Sequence, residues 1–231
     1  ANHQIFRHLY FVELTLITFL LVFTFYIPIC HSQVVWKCPQ IDTHEQIYDS
    51  LKTKIKLKNY QKLANALLEH FPLDDDKQIF FQYIITCNKS VNVEEVSDCL
   101  ANWYKSRVPH VNPRKDGMIN RLSATAILNR IGAAASYMNP TFISAEEEIT
   151  IDIKEDRIRI TLDIPRYIST SALFGTQNYS PGAMFPSTPN GIQKNAYGLA
   201  FIICNSTIID DAKDILNFLN KNMNKEKDID W

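Results

Sequence analysis

The sequence predicts an α+β protein: a single N-terminal transmembrane helix, then a helical bundle, then a mixed layer in which helices pack an antiparallel sheet built from a β-hairpin and one further strand. Three observations predict it. Leu9 to Cys30 is an apolar run carrying one charge, Glu13. Asp42 to Arg107 repeats apolar residues at three- and four-residue spacing, the period of a helix. Glu148 to Ile153 and Arg157 to Ile164 alternate strictly between apolar and polar, the period of a half-buried strand.

The apolar run comes first. About 20 apolar residues in a helix span a hydrocarbon core, and only a helix satisfies its own backbone there. Tyr10, Tyr26 and, just beyond, Trp36 stand where interfacial aromatics belong. The run is longer than a signal-peptide core and ends in Ile27-Pro28-Ile29-Cys30 rather than small residues, so an uncleaved anchor is expected. Arg7 on the N side places residues 1–8 in the cytoplasm and the main domain on the periplasmic or extracytoplasmic side. Glu13 is costly in lipid and has no base within the run, so it is a candidate contact with another subunit's helix. The bilayer and other membrane-protein subunits are the expected partners.

Arg7-His8 followed by Leu9-Tyr10-Phe11-Val12-Glu13 resembles the start of type IV pilins. In that family a basic leader precedes a cleavage point and a glutamate at the fifth mature position. The chain departs from it in two places, His8 for the family's glycine and Leu9 for its phenylalanine or methionine. The resemblance implies, as an alternative, a pilin-like filament subunit.

Beyond the anchor, residues 31–107 read as an exterior helical subdomain. Thr43-His44-Glu45-Gln46 has the form of a capping box, and Ile47, Leu51 and Ile55 follow it. Tyr60, Leu63, Leu67 and Phe71 continue with a phase shift. Pro72 ends the pair, and Asp74-Asp75-Asp76 opens another helix, since acids favour helix N-termini. Its apolar face is Ile79, Phe80, Tyr83, Ile84 and Cys87; Val93 to Arg107 closes the bundle.

Val108 to Gly117, with two prolines, reads as a boundary. Residues 118–222 read as an α+β subdomain. Met118 to Met138 is expected to be helical, with a small-residue run at Gly132–Ser136 that admits a close neighbour. The hairpin follows, with Glu146-Glu147-Glu148 as a solvated approach to it. Tyr197 to Cys204, apolar nearly throughout, reads as a buried strand, and Asp210 to Asn222 as a closing helix. Residues 223–231 form a polar tail. Ser169 to Asn195 reads as a long loop holding three of the six glycines. Its apolar residues dock either on its own domain or on a partner, with Phe174, Tyr179, Met184 and Phe185 the candidate partner-binding residues.

The chemistry is sparse. Among 231 residues, 24 Lys+Arg balance 25 Asp+Glu, which leaves no electrostatic footprint for nucleic acid. The six histidines form no ligand-spaced cluster, and there is no nucleophile elbow, phosphate loop or dinucleotide fingerprint. No catalytic residue, cofactor or metal is predicted. Cys38, Cys87, Cys99 and Cys204 fit an oxidising exterior, with Cys87–Cys99 the favoured bridge. Asn88, Asn178 and Asn205 head glycosylation triplets. The expectation is a non-enzymatic, single-pass subunit of a multiprotein membrane assembly: a bacterial secretion or pilus-type envelope machine, or an organellar or viral membrane complex. A membrane-tethered enzyme or ligand-binding domain with 169–195 as its lid is the other alternative.

Overall fold

The computed structural model describes residues 33–55, 60–107, 114–116, 120–134, 140–186 and 191–224. The expected anchor, Glu13 within it, and the end of the polar tail lie outside them. Among the described residues no helix is long and apolar enough to cross a membrane. The chain divides into 1–33 and 34–231, and every element named here belongs to the second unit.

In chain order these are β1 (Trp36–Lys37), α1 (Pro39–Lys54), α2 (Tyr60–His70), β2 (Ile79–Cys87), α3 (Val93–Arg107), β3 (Arg114–Asp116), β4 (Arg121–Ala134), β5 (Thr141–Ile153), β6 (Arg157–Ser171), β7 (Gly175–Tyr179), α4 (Pro181–Met184) and α5 (Gly191–Asn222). All seven strands form one antiparallel sheet, ordered β1-β2-β6-β5-β4-β3, with β7 pairing the far end of β6. The α+β class and the helix-packed antiparallel sheet therefore hold.

The hairpin is present and longer than its alternating core. Residues from Thr141↔Ser171 to Ile153↔Ile158 pair across β5 and β6. Around it, three segments differ from the sequence reading. Ile79–Cys87 is strand β2, not a helix. Its inward residues Ile79, Phe81, Tyr83 and Ile85 are buried, and its outward Phe80 and Ile84 are apolar too. Apolar side chains on both faces produce a pattern that also fits helical spacing. The 118–138 segment contains strand β4, not a helix, because alanines at 124, 126 and 134 hide its alternation behind helix-forming residues. Tyr197–Cys204 lies within α5, not in a strand. A helix enclosed by sheet and neighbouring helices is apolar on most sides, so its amphipathic period fades.

Because β2 pairs β6 from Ile79↔Ile164 to Thr86↔Arg157, the sheet crosses the boundary expected between a helical and a mixed subdomain. One face of the sheet is covered. Ile151, Ile158, Ile160 and Leu162 from its centre are fully buried with Ala200, Phe201, Ile208 and Ile215 of α5. The small-residue run serves the close approach expected of it at one position. A Cβ on Gly132 would stand 2.6 Å from the Ala196 carbonyl oxygen, so α5 lies against the bare backbone of β4. The end of α5 secures β1: Asn220 accepts from the Trp36 N–H at 2.8 Å and donates to its carbonyl at 3.0 Å, as a neighbouring strand would.

Candidate functional site

Alternation gives the sheet two chemically different faces, and each carries a candidate. The inner candidate lies at a β-bulge. The β5–β6 register shifts between Glu146 and Glu148, with the extra residue on β6, where Ile164 and Pro165 separate Asp163 from Arg166. β5 keeps its alternation, so Glu147 falls in the inward series with Ala145 and Ile149. Glu147 turns inward and is fully buried. Arg107, at the end of α3, donates from Nε and Nη2 to the two carboxylate oxygens of Asp211 on α5, both at 2.8 Å. The same guanidinium is 3.6 Å from Glu147, an ionic rather than a hydrogen-bonding distance. Neither Glu147 oxygen meets a donor, and Tyr167 OH and Asn205 Oδ1 are likewise buried without one.

Burial, reinforced by the neighbouring Asp211 charge and only partly offset by Arg107, pushes the Glu147 carboxyl up to about 8. A proton on Glu147 supplies the donor that its ionised form lacks, bridging to Asp211. Burial also pushes the Cys204 thiol well up, with Glu147 adding to it. Burial does the same to the Tyr104 phenol, which donates to the Ile149 carbonyl at 3.0 Å. These groups have the shifted proton affinities of an active site, yet they are sealed between sheet and helices.

The outer face is open. No element of the described residues covers it. Arg121, Asp152 and Arg159 line up across β4, β5 and β6, with both arginines donating to the one carboxylate. Burial raises the Asp152 carboxyl, but hydrogen bonds and charge from Arg121 and Arg159 outweigh that and hold it below its ordinary value. Arg166 donates to Glu146 in the next charged row. Between these rows, Glu148 and Asp163 face each other across the ladder. Burial and the charges of Glu148 and Asp74 push Asp163 up to about 6, and the Gln78 amide donates to it at 3.0 Å. Phe80, Ile84, Ile127 and Phe142 stand exposed on this face. Arg130 lies over the Phe142 ring at 4.9 Å from its centroid.

The candidate loop resolves into the end of β6, then β7, α4 and the start of α5. Its four aromatic or sulfur residues do not come together. Phe185 is fully buried and packs on Phe201 with ring centroids 5.2 Å apart. Met184 packs on the core and Tyr179 is half-buried at the end of β7. Phe174 alone is outward, 70% exposed at the β6–β7 turn. Cys38, Cys87, Cys99 and Cys204 all stand as thiols, so the expected Cys87–Cys99 bridge is not formed. Cys87 ends a strand rather than a helix, which removes the helix-pair geometry that favoured the bridge. Of the glycosylation triplets, Asn178 lies on exposed β7, whereas Asn205 is fully buried. No group of three or more His, Cys, Asp or Glu among the described residues could hold a metal ion.

The sequence reading missed Glu147 and the outer-face arginines. A signal for Glu147 was present: three consecutive glutamates cannot all point outward from a regular strand. No signal marked Arg107 and Asp211 as partners 104 residues apart.

No protein-family model matches the chain, and no curated protein matches it. Two solved structures are similar. One is a TBP-like protein from Parabacteroides distasonis ATCC 8503, 10% identical, covering 64% of this chain and 97% of that one with a TM-score of 0.44. The other is a DUF4468 family protein from Bacteroides ovatus ATCC 8483, 11% identical, covering 62% of this chain and 88% of that one with a TM-score of 0.42. Neither likeness bears on what this chain does.

Proposed function

We propose that the chain is a non-enzymatic interaction subunit of a multiprotein membrane assembly, tethered through Leu9–Cys30, with its folded unit on the extracytoplasmic side. The observation that carries the interaction role is the open sheet face. A broad antiparallel sheet displays Ile127 in the row of Glu146 and Arg166 and Phe142 beyond it, with a second row of Arg121, Asp152 and Arg159 toward the other end. Exposed apolar residues rimmed by polar groups are the usual character of a protein-binding surface. The strongly shifted groups support the non-enzymatic part, since Glu147 and Cys204 lie where substrate does not reach. The tether rests on the length, flanks and aromatic ends of the apolar run. A secretion or pilus-type envelope machine, or an organellar or viral membrane complex, fits this combination.

Cross-linking in native membranes tests the reading, with linked peptides identified by mass spectrometry. The expected result is links from β4 and β5 to other membrane-protein subunits. A chain that partitions into the soluble fraction and links to no other protein would overturn it.

A further inference from the structure

The open edge of the sheet carries a second surface, distinct from its open face. β2 is nine residues long, Ile-Phe-Phe-Gln-Tyr-Ile-Ile-Thr-Cys, with no charge and no proline. On its free side β1 pairs only Thr86 and Cys87. The Cys87 N–H donates toward β6, to Asp156, so odd-numbered positions bond inward along the ladder. Backbone groups of Phe80, Gln82 and Ile84 therefore turn away from β6. Their side chains point to the outer face, and Phe80 is 42% and Ile84 52% exposed. Sheets ordinarily guard such an edge with lysine, proline, a bulge or a cover. Here the Cys38 thiol resting on the Ile84 backbone is the cover the structure shows, and a thiol is a weak hydrogen-bonding group.

We infer that this edge pairs with the same edge of a second copy, antiparallel about a two-fold axis at Gln82. The sequence is self-complementary in that register. Gln82 faces Gln82, and Phe80 of each copy faces Ile84 of the other, so both exposed apolar residues are covered twice over. The neighbouring strand extends the match. Phe80 is flanked by Asp163 and Ile84 by Arg159 on β6. Each row across the joined sheets then reads acid, phenylalanine, isoleucine, arginine, with opposite charges at its ends. An isologous contact requires such matching of a patch to itself. Pairing one short strand buries little surface, so confinement to a membrane would strengthen it by raising local concentration. Self-pairing of this edge does not depend on the identity of any other partner.

The test is disulfide trapping in the full chain in its membrane. In an antiparallel hydrogen-bonded pair the Cα atoms are about 5.5 Å apart, within the span a disulfide bridges. Gln82→Cys under mild oxidation should give a covalent dimer whose linked peptide joins the two introduced thiols. Thr86→Cys, whose free side β1 occupies, should not. Adding Ile84→Lys to Gln82→Cys should reduce the dimer about tenfold, because it replaces both apolar pairs with a charge. Circular dichroism matching the parent chain would show that each variant folds. A folded Gln82→Cys chain that stays monomeric, or whose introduced thiol links only to a different protein, would overturn the inference. Dimers through the introduced thiol without links from β4 or β5 to other subunits would sustain it while sinking the heterologous-partner reading, and the reverse pattern would do the opposite.

Discussion

The two faces of this sheet are drawn from the same strands and differ in what they do with charge. On the inner face Glu147 and Asp211 are buried beside a partly exposed Arg107, and burial raises the Glu147 carboxyl. On the outer face Arg121, Asp152, Arg159, Glu146 and Arg166 are paired but reachable. Burial is the largest cause of the raised carboxyls on both faces, Glu147 inside and Asp163 outside, whereas neighbouring arginines lower Asp152. A strongly perturbed group marks a functional site only where something can reach it.

The contrast between the faces is largest at Arg107. Arg107→Ala leaves two carboxyls buried without their cation. Removing one partner of a buried pair is severe; with the guanidinium side chain 29% exposed, a loss of about 2–3 kcal/mol is expected in urea unfolding. Arg159→Ala on the outer face should cost under about 1 kcal/mol, since Arg121 still holds Asp152. Equal losses at the two positions would erase the distinction.

Gly132→Ala probes the packing that closes the inner face. Its Cβ would meet the Ala196 carbonyl oxygen, a backbone atom that moves only with α5. Overpacking of this kind costs roughly 1–3 kcal/mol, read as a lowered midpoint in thermal or urea unfolding.

Stability against pH separates the raised carboxyls from the lowered one. Folded Glu147 holds its proton up to about pH 8, whereas the unfolded chain releases it near the ordinary value of 4.5. Between those values the folded state binds more protons, so this stability is full below about 4.5 and is lost as pH rises through 8. Glu147→Gln should flatten that decline, most visibly in unfolding measured from about pH 5 to 8. Asp163, with its carboxyl raised from 3.8 to about 6, acts in the same direction over a lower window. Asp163→Asn should raise stability modestly at pH 7 and leave it unchanged near pH 3. Asp152 has the opposite sign: its lowered carboxyl contributes stability that is lost as pH falls through the folded value.

Some of this was legible in the residues and some was not. The β5–β6 hairpin shows in its alternation because one face is buried and the other wet. β2 does not, because Phe80 and Ile84 put apolar side chains on the wet face, and those same residues make its edge fit another strand. β4 hides behind alanines, and α5 behind its own enclosure. The Arg107–Asp211 pair is a product of tertiary folding, with no local pattern to announce it. Phe185, chosen as a partner contact, proves to be a core residue because α4 turns it under α5.

Binding of another protein by the open face is open to a direct check. A photo-crosslinking residue in place of Ile127, an exposed position on β4 in the row of Glu146 and Arg166, is activated in the full chain in native membranes. The expected product is a discrete covalent adduct with another membrane-protein subunit, absent when the same residue replaces buried Ile151. Recovery of the chain without an adduct from Ile127, in membranes where it is folded and abundant, would contradict that role.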